Sequence, residues 1–240
     1  QGFRFGPTEN GVSLGRWVNS AGEIDYVPLS ALTLGHPNAL PKVGPVVLSE
    51  IMYHPPAWTT NDPPSSYVEL ANLGSEDAPL FNPAEPDHRW RLAHAVEFEF
   101  PRSTILPPAG RVLVVGFDPT VEVSTLLAFR HRYGLPEDVP ILGPWQGRLG
   151  NAEETIELLK PDAAGTNGVP YVLVERVHYL DRAPWPAEAD GLGASLQRLR
   201  LDGYANEPTN WLASGPTPGA PNVPNLRPTL ALTSPIPDAV

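Results

Sequence analysis

Proline sets the first limit on what this chain can fold into. The 240 residues include 31 prolines and 21 glycines, about twice the average share of the two together. Proline lacks a backbone N–H, clashes with the preceding turn of a helix, and is confined to the ends, edges and bulges of sheets. A chain punctuated this densely is expected to be all-β, with short strands joined by many rigid turns. Hydrophobic residues make up 41% and charged residues 18%. That supplies a core and is too little charge for a disordered tail.

Strand patterns occupy the intervals between the prolines. Val46 to Tyr53 is an apolar run bounded by proline on both sides. Tyr67 to Asn72 alternates apolar and polar residues. Val96-Glu97-Phe98-Glu99-Phe100 alternates strictly, with Val96, Phe98 and Phe100 on one face. Arg111 to Val115 reads as a buried strand, and Thr155 to Leu159 and Tyr171 to Tyr179 follow the same logic. Turn residues separate them at 107–110 and 161–168. One segment, Val121 to Tyr133, has helical spacing through Val123, Leu126, Leu127 and Arg130, with Gly134 as its stop. The stretch from Pro136 to Gly150 reads as a long irregular loop. Residues 118–150 are thus expected to be a helix-and-loop insertion.

A repeated pattern sits at the two ends. Ser13-Leu14-Gly15-Arg16 is followed at a distance by Thr33-Leu34-Gly35-His36-Pro37-Asn38. Ser195-Leu196-Gln197-Arg198 is followed by Thr217-Pro218-Gly219-Ala220-Pro221-Asn222. The organisation expected from this is a C-terminal remnant of a preceding unit over 1–42, a whole unit over 43–222, and a linker with the first strand of a following β-domain over 223–240. The chain reads as a window on a longer array.

The strand at Val46-Val47-Leu48-Ser49-Glu50-Ile51-Met52-Tyr53-His54-Pro55 resembles the opening strand of bacterial lamin-tail domains. Tyr67 to Asn72, Trp90-Arg91-Leu92, Phe98 to Pro101, Leu106 to Gly110, Leu113 to Val115, Glu154 to Leu159 and the ending from Ser195 to Asn222 are similar to later parts of that family, in order. The resemblance implies an immunoglobulin-like β-sandwich over 43–222. It also implies a non-catalytic structural or adhesive role in a secreted or cell-surface bacterial protein. The partners expected are neighbouring domains or copies of the same protein, in a filament or tandem array.

The chemistry the residues could carry points the same way. Gly11-Val12-Ser13-Leu14-Gly15 matches the G-x-S-x-G elbow of serine hydrolases. However, the following Arg16 to Gly22 is a poor helix, and the repeated copy lacks the second glycine. With no cysteine, disulfides and thiolate sites are excluded. The six histidines show no metal-ligand spacing. Asp162–Gly168 and Asp181–Gly191 are the only loops with a partial likeness to calcium loops, and neither has the spacing of an EF-hand. Hence no enzyme activity and no cofactor is expected; zinc, iron and calcium are the ions considered, and calcium alone keeps a partial loop likeness. Among the carboxylates Glu153, Glu154, Asp181, Glu188 and Asp190, nothing favours a glycosidase pair.

A net charge of −11 repels phosphate backbones, so nucleic acid is not an expected partner. No apolar run is long enough to span a membrane. Three tryptophans in proline-rich loops, Trp58, Trp145 and Trp185, have two readings. Each pins its loop to the core, or together they form an aromatic contact surface. The second motivates the alternative function, a carbohydrate-binding accessory module of a secreted enzyme that contacts polysaccharide.

Overall fold

The computed structural model describes residues 6–56, 65–166 and 168–222. It is mostly β, with several antiparallel sheets and one α-helix. In chain order the strands begin with β1 (Leu14–Val18), β2 (Ile24–Pro28), β3 (Val46–Met52) and β4 (Tyr67–Asn72). Short strands follow: β5 (Ala78–Pro79), β6 (Phe81–Asn82), β7 (Glu85–Arg89), β8 (Arg91–His94), β9 (Val96–Glu99) and β10 (Ile105–Leu106). Then come β11 (Arg111–Val115), the helix α1 (Val123–Tyr133), β12 (Ile141–Leu142) and β13 (Gln146–Gly147). The chain closes with β14 (Glu153–Pro161), β15 (Tyr171–Leu180), β16 (Ser195–Arg198) and β17 (Trp211–Ser214).

Two larger sheets organise the body. A six-stranded sheet runs β12-β11-β4-β3-β16-β17, and a five-stranded sheet runs β13-β9-β8-β14-β15. Pairing is antiparallel except between β11 and β12. One apolar cluster draws on both. Val46, Leu48, Ile51, Val68, Leu70, Val112, Val114 and Leu196 come from the first sheet. Leu92, Val96, Phe98, Ile156, Leu158, Val177 and Tyr179 come from the second. Strict alternation in β9 puts Val96 and Phe98 inside and Glu97 and Glu99 out, as the sequence pattern requires.

The central strands depart from alternation. Every residue of β3 and β4 is buried. A second apolar cluster explains this at Met52 and Tyr67. Met52, Tyr67, Leu113 and Val115 point away from the main core and pack with Phe117, Phe129, Leu135 and Ile141. The helix and its flanking loops therefore cover the outer face of the six-stranded sheet. A register shift between Leu48 and Glu50 marks a bulge in β3. The extra residue lets Leu48 and Ile51, three apart, both reach the main core.

The helix starts two residues later than expected and buries a different stripe. Phe129 is buried, with Leu126 and Tyr133 partly so, while Val123 and Leu127 are exposed. Leu126, Phe129 and Tyr133 stand at i, i+3 and i+7, and the aromatic rings stack edge-on against Tyr67. Gly134 ends the helix in the left-handed conformation, at φ 61°, which costs glycine nothing. The stretch 136–150, expected to be irregular, contributes two-residue edge strands to both large sheets. Among the described residues, no helix is long and apolar enough to cross a membrane.

Candidate functional site: a buried polar seam

The most concentrated polar chemistry lies along β3, at its junction with β16. Glu50 and Glu69 are completely buried, a cost that only close hydrogen bonding offsets. One oxygen of Glu50 accepts from the Tyr67 hydroxyl at 2.6 Å, the Ser195 hydroxyl at 2.5 Å and the Thr217 N–H at 3.0 Å. Its other oxygen accepts from the Thr217 hydroxyl at 3.2 Å. Glu69 accepts from the Ser49 hydroxyl at 2.5 Å and the Gly219 N–H at 2.6 Å, and forms an ion pair with Arg111. Asn222 Nδ2 donates to both Ser49 O and Arg198 O at 2.8 Å.

Beside this seam, Arg198 and Glu175 clasp the two sheets together. Arg198 stands on β16 and Glu175 on β15, and the pair meets through two contacts of 2.9 and 2.8 Å. Both also bond the backbone of Leu48 on β3. Leu48 N–H donates to Glu175 at 2.7 Å, and Arg198 donates to Leu48 O at 2.9 Å. β16 pairs with β3 only at Leu196 and Gln197, so the backbone groups of Leu48 lie beyond the strand ladder. The ion pair satisfies them instead.

Burial raises the Glu69 carboxyl above its ordinary value of 4.5, and Glu50 adds to the rise. Arg111, the Ser49 hydroxyl and the Gly219 N–H pull it back. The folded state thus holds this proton more tightly than the unfolded chain does. Between 4.5 and the folded value, lowering the pH favours the folded state through this group. Above that window its charge is a constant cost. Glu69→Gln removes this dependence. Urea denaturation across pH is expected to show the parent gaining on the variant as pH falls toward 4.5. A pH-independent difference would contradict the assignment.

The other candidate residues fall outside any shared site. Trp145 and Trp185 are 8% and 4% exposed, and both belong to the main core cluster. Trp185 packs against Trp211, with ring centroids 6.1 Å apart. The structure therefore places these two rings in the core and not on an aromatic contact surface, because their proline-rich loops fold inward over the sheets. Trp58 lies outside the described residues. Ser13 precedes β1 with no helix after it, and its buried hydroxyl has no partner, so the elbow pattern does not build an elbow. His54 Nδ1 faces Asp190 at 2.5 Å, but no described hydroxyl bonds to the ring. Of the two loops weighed for calcium, one uses Asp162 to accept from Ala163 N–H, and the other pairs Asp181 with Arg182. Among the described residues, no group of three or more metal-binding side chains converges.

Composition and strand periodicity gave no sign of the acids at the seam. The repeated pattern marked their partners instead. Ser195, Arg198, Thr217, Gly219 and Asn222 all belong to it, and all bond into the seam. No family model matches the chain, and no similar curated protein or solved structure was found.

Proposed function

We propose that this chain is a non-catalytic structural or adhesive module that works by β-packing and strand pairing with neighbouring units. On this reading its two large sheets form an immunoglobulin-like sandwich of the lamin-tail type, over residues 43–222, in a secreted or surface bacterial protein. The observation that carries the proposal is the use made of buried charge. Glu50, Glu69, Glu175 and Arg198 are all spent on joining strands to one another. A reactive centre needs the reverse, polar groups held ready for a ligand.

The sheet edges support the second half of the proposal. β12 and β13 are two residues long and β17 four, too short to template another strand. β15 is a ten-residue edge strand of the five-stranded sheet. Long edges of this kind invite pairing, and on this one Asn206 Oδ1 already takes the His178 N–H at 2.8 Å. The polysaccharide alternative loses its motive at Trp145 and Trp185, whose rings are inside the core.

The test joins two complete chains head to tail in one polypeptide. Small-angle scattering is expected to fit one fixed arrangement of the two copies, and thermal unfolding to occur above that of the single chain. Independent tumbling with an unchanged unfolding temperature would refute packing between neighbours.

A further inference from the structure

The repeat seen in the sequence is also a repeat in space, and the two copies differ in one respect. Each begins with an antiparallel hairpin, β1–β2 in the first and β16–β17 in the second. Each continues into the same turn. His36 N–H donates to Thr33 O at 2.9 Å, and Ala220 N–H donates to Thr217 O at 3.0 Å. The turn glycines, Gly35 and Gly219, have φ of 77° and 78°. Each ends in the same latch. Asn38 Nδ2 donates to Arg16 O at 3.2 Å, and Asn222 Nδ2 donates to Arg198 O at 2.8 Å. The hairpin loop is longer in the second copy, but the working parts correspond.

What differs is the partner. In the second copy, five groups bond into the rest of the unit. The Ser195 hydroxyl and Thr217 N–H reach Glu50, and Gly219 N–H reaches Glu69. Arg198 takes Glu175 and Leu48 O, and Asn222 also takes Ser49 O. Among the described residues, the counterparts of all six bonds are missing in the first copy. The Ser13 hydroxyl is buried and unpartnered. Arg16 is exposed without an ion pair, and neither Thr33 N–H nor Gly35 N–H finds an acceptor. Asn38 makes only the bond to Arg16. Apolar contacts are missing too. Pro218 is buried, whereas its counterpart Leu34 is 98% exposed, with Leu32 and Leu40 at 67% beside it.

We infer that residues 13–38 are the closing hairpin of a second sheet, and that β1 docks on a strand like β3. The inference rests on the reading of this chain as a module beside neighbouring units, and it names a contact separate from the β15 edge that two joined complete chains would use. The partner is a preceding unit of the same architecture in the same polypeptide. That unit offers a bulged Leu-Ser-Glu strand, flanked by a β4-like strand with a buried glutamate, and has no closing hairpin of its own. Charge complementarity selects it. The free groups on 13–38 are a guanidinium and N–H donors, and the surface that receives their counterparts is acidic. A second copy of the complete chain is a poor partner, because its β3 is already covered by β16.

The test places residues 43–192, a unit without its closing hairpin, ahead of the complete 240-residue chain. Hydrogen exchange is expected to slow by at least tenfold at Thr33 and Gly35 relative to the unmodified chain. Arg16→Ala combined with Asn38→Ala in the fusion is expected to abolish that protection. Unchanged exchange at Thr33 and Gly35 overturns the inference, whether the added segment is folded or not. So does capture of the added segment by residues 195–222, which keeps Thr217 and Gly219 protected and leaves Thr33 and Gly35 exchanging as in the unmodified chain. Either failure leaves the head-to-tail test of packing unaffected.

Discussion

Arg198→Ala is expected to lower the stability of the folded chain by about 3–5 kcal/mol, the range for removing one partner of a buried ion pair. Both side chains are almost wholly buried, at 0% and 5% exposure. Truncation leaves the Glu175 carboxylate without its cation and Leu48 O without its donor. A paired replacement by apolar residues, Arg198→Met with Glu175→Leu, is often neutral for an isolated ion pair. Here it is expected to recover only part of the loss. Leu48 N–H, Leu48 O and Gly203 O would all remain buried or half-buried without partners, at roughly 1–3 kcal/mol for each fully buried group. Urea denaturation of the three proteins measures this directly. A single variant within about 1 kcal/mol of the parent would show that the clasp does not hold the sheets.

The second large effect is expected at Trp185→Ala, a loss of about 3–5 kcal/mol. An indole buries on the order of 200 Å², and this one fills space between the loop after β15 and Trp211. Alanine cannot fill that volume, and Trp211 is held by its Nε1 bond to Ala205 O at 2.7 Å, which limits collapse. Thermal unfolding is the readout. If the variant unfolds at the parent temperature, the ring does not support the core, and a surface role regains its interest.

Legibility in the sequence tracked how local the cause was. β9 was readable because alternation is a property of neighbouring residues, and β3 because proline brackets an apolar run. That Ser49 and Glu50 are buried within that run was not readable. Their partners arrive from far away: Ser195 is 145 residues from Glu50, and Asn222 is 173 from Ser49. The helix was placed but turned wrongly. Val123 and Leu127 fit helical spacing as well as Phe129 does, and the outer face of β4 and β11 decides which stripe is covered. Trp145 and Trp185 were left between two readings because loop composition does not reveal which way a loop folds. The Ser-Leu-x-Arg and Thr-x-Gly-x-Pro-Asn repeat was the one non-local signal, and it led to the seam.

The loop of the first hairpin rests on the loop of the second. Asn19 donates to Asn206 O, Ser20 N–H to Glu207, and Tyr204 and Asn206 both donate to Asp25. Those residues follow closely on Gly203, whose carbonyl is held by Arg198. A pull applied at the N-terminal end meets the ion pairs of Glu9 with Lys42 and Lys160 and, past them, the region beside the clasp that spans both sheets. Tension spread in this way shears several bonds at once, where an outer strand pulled from its free end would unzip one bond after another.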